Sequence, residues 1–170
     1  MPSTGPVIGL PSAGLHTNGY TLARRVAFDV MKLQLGDPLG DTGQTVADAL
    51  LAVHQSYVAA VMPVISRLHG IAHITGGGIP GNLVRVLPTG CEAVVETGSW
   101  QWPPLFRFLQ EAGRVSTGEM RDVFNLGVGL IAVLPADQVP EAQSSARAAG
   151  VPTWVLGEIR RGPKGVCFSS

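Results

Sequence analysis

Charge is scarce in this chain of 170 residues: Asp, Glu, Lys and Arg together make up 14%, against about 25% in an ordinary soluble domain. Twelve basic residues balance twelve acidic ones, and neither half collects one sign, since residues 1–85 carry five basic and four acidic and residues 86–170 carry seven and eight. Without a basic field, neither nucleic acid nor a membrane surface is expected as a partner. The two cysteines, Cys91 and Cys167, show no Cys-x-x-Cys spacing, which excludes a disulfide framework and a structural zinc site and leaves two reduced thiols. The carboxylates are scattered, so no metal site is expected. There is no Gly-Lys-Ser/Thr after a glycine loop and no Gly-x-Ser-x-Gly, which removes the P-loop and the nucleophile elbow. No basic, then apolar leader opens the chain, and a cytoplasmic location is expected. One stretch, residues 49–66, is free of Asp, Glu, Lys and Arg, but it holds His54, Gln55, Ser56 and Pro63. It is short for a membrane span and reads as a buried core helix.

Apolar residues are plentiful at 45%, with a mean hydropathy of +0.26. A chain of this size and content buries a real core as a single domain over residues 1–170. Its low charge also predicts that part of the surface is covered by a second domain or subunit.

Strands are expected at 7–10, 71–75, 91–95, 128–134, 154–159 and 166–168, from short β-branched or apolar runs bounded by Gly and Pro. The run 128–134 is almost wholly apolar and should lie inside its sheet. Helical spacing starts at Tyr20 and should end at Gly36-Asp-Pro38. Further helices are expected at 46–53 after a Thr45 cap, at 54–68 with a break near Pro63, and from Pro80. Others are expected at 103–111, at 116–123 after the capping box Ser116-x-x-Glu119, and at 136–149. The last two strands read as a hairpin turned by Arg161-Gly-Pro-Lys164. The order predicts an α+β fold, a mixed β-sheet with helices packed on it.

Two strand–loop–helix junctions carry the chemistry. The first is Ser12-Ala-Gly-Leu-His-Thr-Asn-Gly19, the second His73-Ile-Thr-Gly-Gly-Gly78. Glycines allow close main-chain approach to a ligand, and N–H groups at a helix start favour an anion. Consecutive glycines before a helix form an anion nest. Ser12, His16, Thr17 and Asn18 add side-chain donors. Either loop alone could be a plain structural turn; the pair, each flanked by His and Ser/Thr, points to a phosphate-bearing ligand. His54 and His69 read as polar tips, and Trp100-Gln-Trp102 as a packed helix start with paired indole N–H groups.

Five segments together resemble one family. They are Leu10-Pro-Ser-Ala-Gly-Leu-His-Thr-Asn-Gly-Tyr20, Ile71-Ala-His-Ile-Thr-Gly-Gly-Gly78, Asn82-x-x-Arg85-Val-Leu-Pro88, Ser99-Trp-Gln-Trp-Pro103 and Glu119-Met-x-x-x-Phe-Asn-x-Gly-Val-Gly129. The pattern is similar to the C-terminal domain of the phosphoribosylformylglycinamidine cyclo-ligases, also called aminoimidazole ribonucleotide synthetases. The two loops occur more widely, in selenophosphate synthetase, thiamine-monophosphate kinase and formylglycinamide ribonucleotide amidotransferase. The resemblance implies an ATP-dependent ligase of purine biosynthesis that closes the imidazole ring of formylglycinamidine ribonucleotide. It implies a cytoplasmic homodimer with ATP and Mg²⁺ held largely by an N-terminal domain absent from this chain, which would then be inactive alone.

On that resemblance Ser12, Gly14, His16, Thr17, Asn18 and Gly19 are assigned to the substrate phosphate with Gly76, Gly77 and Gly78. His73 and Thr75 are assigned to the reacting centre, and no metal ligand is assigned. A non-catalytic binding or interaction domain, or another ATP-dependent member of the superfamily, are the alternatives. Two departures stand out. Ser12-Ala13 replaces a pair of serines, and Leu50-Leu-Ala-Val-His-Gln-Ser-Tyr57 replaces a stretch that usually reads Pro-Thr-Arg/Lys-Ile-Tyr.

Overall fold

The strands β1 (Gly5–Pro11), β2 (Gly70–His73), β3 (Cys91–Glu96), β4 (Val128–Val133), β5 (Trp154–Arg161) and β6 (Gly165–Ser169) form one sheet in a computed structural model that describes residues 4–169. Their order is β2-β4-β1-β5-β3-β6. Every neighbouring pair is antiparallel except β3 and β6, so the sheet is mixed. The fold is α+β, as the element order predicts.

Both faces of the sheet are covered, which is why β4 reads as an unbroken apolar run: all six of its residues are buried. On one face Ile131 and Val133 of β4, with Ala93 and Val95 of β3, pack against Ile79 and Leu83 of the helix α4 (Gly78–Val86). On the other face Leu130 and Ala132 join Ile8 and Leu10 of β1. They meet Ala60 of α3 (Val58–Val61), Val64 of the 3₁₀ turn Met62–Arg67, and Ala142 and Ala146 of α7 (Val139–Ala148). A third cluster lies among α1 (Tyr20–Arg24), α2 (Val46–Leu50), α5 (Pro104–Gly113) and α6 (Thr117–Val123), around Phe106, Leu109, Met120 and Phe124. Each large apolar side chain buried here contributes about 1.5–3 kcal/mol.

Local signals place several ends correctly. Thr45 caps α2, accepting from the Asp48 N–H while Asp48 accepts from the Thr45 N–H, a complete capping box. Ser116 accepts from the Glu119 N–H at 3.2 Å, giving the serine half of the second box. The Trp100 indole N–H donates to the Leu126 carbonyl at 2.9 Å.

Three expectations are corrected. The last two strands are not a hairpin: β3 lies between β5 and β6 and bonds to both. The turn crosses above the start of β3, where the Gly162 N–H donates to the Gly90 carbonyl and Arg160 pairs with Glu92. The helix from Tyr20 does not reach Gly36. It widens into a π-turn over Arg25–Val30 and ends there, with the Met31 N–H reaching back to the Val26 carbonyl and Lys32 turned left-handed at φ 56°. Residues 54–56 lie outside any helix, between α2 and α3. The charge-free stretch 49–66 is thus no core helix, and Leu51, Val53, Val58 and Met62 stand exposed. Among the described residues no helix is long and apolar enough to cross a membrane.

Candidate functional site

β1 and β2 flank β4 and both run antiparallel to it, so they run parallel to each other and their carboxyl ends emerge at one edge. Both glycine loops follow those ends and therefore meet. Asn18 joins them: its Oδ1 accepts the Gly76 N–H at 2.8 Å, and its Nδ2 donates to the His16 carbonyl at 2.6 Å. Asn125, 2% exposed, pins the first loop. Its Oδ1 accepts from the Ser12 hydroxyl and the Gly127 N–H, both at 2.8 Å, and its Nδ2 donates to the Gly14 carbonyl at 2.8 Å. Asn82 does the same for the second, donating to the carbonyls of Thr75, Gly76 and Gly78 and accepting from the Thr75 hydroxyl.

His16 and Thr17 are both left-handed, at φ 51° and 60°, a conformation costing non-glycine residues of order 1 kcal/mol or more each and held only where the surroundings enforce it. It turns the His16 ring inward, 3% exposed. Nε2 of that ring accepts the Ala13 N–H at 3.0 Å, and Nδ1 is buried without a hydrogen-bond partner. The His54 ring stacks on it, centroids 3.8 Å apart at 18°. The His73 Nε2 lies 3.0 Å from the His54 Nε2. Tyr57 closes the back of the group, its hydroxyl donating to the Pro11 carbonyl at 2.6 Å, and burial raises that hydroxyl's pKa.

Burial, then the nearby His54 and His73, push the His16 pKa down to about 4 from 6.5. Burial and then His54 lower that of His73. Between pH 6.5 and 4 the unfolded chain binds a proton at His16 that the folded chain does not. This part of the stability is therefore complete above about pH 6.5 and is lost as pH falls towards 4, by at most about 1.4 kcal/mol per unit. Urea midpoints should drop between pH 7 and pH 5, and His16→Gln should flatten the drop. An equal drop in the variant would place the acid sensitivity elsewhere.

Of the residues singled out from sequence, Ser12, Gly14, His16, Asn18, His73, Thr75, Gly76 and Gly77 gather at this edge, with Thr17 exposed at the turn. The amides are not all open. Those of Ala13, Gly76 and Gly78 already have internal acceptors, at His16, Asn18 and Thr75. Among the described residues the Gly14 and Gly77 N–H groups make no such bond within the chain. Gly19 and Gly78 also serve packing: a Cβ at Gly19 would run into the Phe124 ring, and one at Gly78 into the Arg121 carbonyl. Sequence reading missed His54, Tyr57, Asn82 and Asn125 as members of the site. Asn82 and Asn125 lie within the family-like segments 82–88 and 119–129. His54 and Tyr57 lie in the departing stretch 50–57, but no pattern there points to the site, which they reach through the irregular segment after α2.

Residues 5–169 match the family described as AIR synthase related protein, C-terminal domain. A phosphoribosylformylglycinamidine cyclo-ligase from Trichlorobacter lovleyi is 44% identical over 156 residues, covering 91% of this chain and 45% of that protein. One from Desulfatibacillum aliphaticivorans is 44% identical over 155 residues, covering 90% and 45%. The chain thus spans about half the length of the curated relatives it matches. The fold is also similar to the crystal structure of a thiamine-monophosphate kinase from Stenotrophomonas maltophilia, with a TM-score of 0.66 at 18% identity over 99% of this chain and 51% of that one.

Proposed function

Since this chain belongs to the AIR synthase related C-terminal domain family, we propose that it is the substrate-side domain of an ATP-dependent cyclo-ligase that closes the imidazole ring of formylglycinamidine ribonucleotide in purine biosynthesis. The observation that carries the reading is the junction of the two glycine loops through Asn18 and Gly76, within a chain about 44% identical to named cyclo-ligases. The open N–H groups of Gly14 and Gly77, beside the exposed Thr17 hydroxyl, suit the oxygens of a ribose phosphate. His73 would face the reacting amide and amidine, while the buried His16 shapes the phosphate loop by accepting the Ala13 N–H. Thr75 acts by holding its loop, since its hydroxyl is given to Asn82.

ATP and Mg²⁺ belong to the other half of such an enzyme in this reading. Mg²⁺ takes oxygen ligands, and the metal-competent group among the described residues is made of imidazoles alone, so these residues do not fit it. The exposed apolar side chains Leu51, Val53, Val58 and Met62 support a covering partner on this side, the N-terminal domain of a cytoplasmic homodimer.

Calorimetry with formylglycinamidine ribonucleotide tests the reading. Binding is expected, with no ADP release when ATP is added. Asn18→Asp keeps the acceptor for the Gly76 N–H but puts negative charge where the phosphate would sit, and should weaken binding about tenfold or more, roughly 1.4 kcal/mol. Unchanged affinity in that variant would discard the phosphate assignment. Substrate-dependent ADP release by this chain alone would discard the division of labour.

A further inference from the structure

His54 brings a third imidazole to an edge where the glycine loops already place His16 and His73. One ring nitrogen from each lies within 4.8 Å of the other two, and the His54 and His73 Nε2 atoms face each other at 3.0 Å. A tetrahedral zinc holds imidazole nitrogens at about 2.0–2.1 Å, which sets any two of them roughly 3.3 Å apart. The His54–His73 pair is within a few tenths of an ångström of that spacing. We propose that His16, His54 and His73 bind a divalent transition-metal ion of the zinc, cobalt or nickel type, with its remaining coordination open to solvent or an anion.

The donor set selects the class of ion. Three imidazoles suit borderline metals and offer nothing to Mg²⁺ or Ca²⁺, which want oxygen. The main chain makes the approach workable. His73 ends β2, where pairing with Leu130 fixes its backbone, while its ring is exposed. His54 sits between α2 and α3 with an exposed ring of its own, so both rings can adjust.

His16 is the ligand that costs most. Its Nε2 accepts the Ala13 N–H at 3.0 Å and the Gln55 N–H at 3.4 Å. Its ring is also stacked on His54, and stacked rings cannot both aim in-plane lone pairs at one ion. Binding therefore unstacks the pair and replaces neutral hydrogen bonds by a metal–nitrogen bond. With Nε2 accepting, the ring proton sits on Nδ1, which is buried and unpaired. That unmet donor already burdens this arrangement, which lowers the penalty for turning the ring.

Titration of the tag-free chain with Co²⁺ reads the site directly, because tetrahedral nitrogen coordination gives strong visible bands that Zn²⁺ then bleaches. One ion per chain is expected. His54→Thr and His16→Ala should each weaken Co²⁺ binding by well over about a hundredfold, beyond the roughly 10–100-fold that loss of an outer-shell partner costs. His69→Ala removes an exposed imidazole outside the group and should change nothing. Circular dichroism reports whether the variants fold. His54 is exposed, so His54→Thr decides the matter if His16→Ala does not fold. No Co²⁺ spectrum at millimolar ion, or unchanged affinity in His54→Thr, overturns the site. Unchanged affinity in a folded His16→Ala overturns the three-imidazole assignment. None of these readouts involves the ribonucleotide, so the proposed ligase reading stands or falls separately.

Discussion

Gly129→Ala is expected to destabilise the protein by about 2–4 kcal/mol and to break up the histidine group. Gly129 is the extra residue of a bulge: Leu10 pairs with Leu130 and Pro11 with Val128, leaving Gly129 between them. Its carbonyl accepts the Ile74 N–H at 2.9 Å, tying β4 to the start of the second glycine loop. A Cβ here would land on the Tyr57 hydroxyl and 2.8 Å from Cε1 of His16. Both side chains are buried, so neither can swing into water without loss. Tyr57 would give up its bond to the Pro11 carbonyl, or His16 would leave its bond to the Ala13 N–H. At roughly 2–4 °C per kcal/mol for a chain of this size, the melting temperature should fall by roughly 4–16 °C. The imidazole NMR signals of His16 and His54 should shift with it. A variant that melts like the parent, with unmoved imidazole signals, would show that the edge is looser than described.

Gly78→Ala should be more damaging still, at about 3 kcal/mol or more. Gly78 has a left-handed φ of 59°, and its added Cβ would overlap the Arg121 carbonyl oxygen and lie 2.9 Å from the Arg121 carbonyl carbon and 3.2 Å from the Phe124 carbonyl oxygen. These neighbours are backbone, so no change of rotamer relieves the clash. α4 would have to part from the end of α6, and the second loop would move with it. Gly81, three residues on in the same helix, has nothing within 4 Å of its would-be Cβ. Gly81→Ala should therefore stabilise by up to about 1 kcal/mol through helix propensity. Denaturant unfolding of the two variants side by side separates a packing role from a helix-propensity effect. Equal effects would remove the packing argument for Gly78.

Much of the local structure was legible in residue order, because local rules act over a few residues. The Thr45 cap, the strand expected at 91–95 and the apolar run of β4 follow from capping and period-two patterning. The helix from Tyr20 misled because its apolar spacing continues past Val30, while the π-turn and left-handed Lys32 that end it have no local signature. The last two strands misled because four turn residues between two apolar runs look like a hairpin whether or not a third strand lies between them.

For the site, sequence alone determined the chemistry on offer: two glycine loops with His, Thr and Asn beside them, each leading from a strand to a helix. Their meeting was a tertiary decision. It depends on β1 and β2 lying on either side of β4 with the same direction, a matter of hydrogen bonds between segments more than fifty residues apart. His54 joined them for the same reason. Residues 54–56 pass outside any helix, and only the tertiary structure brings its ring against His16 and His73.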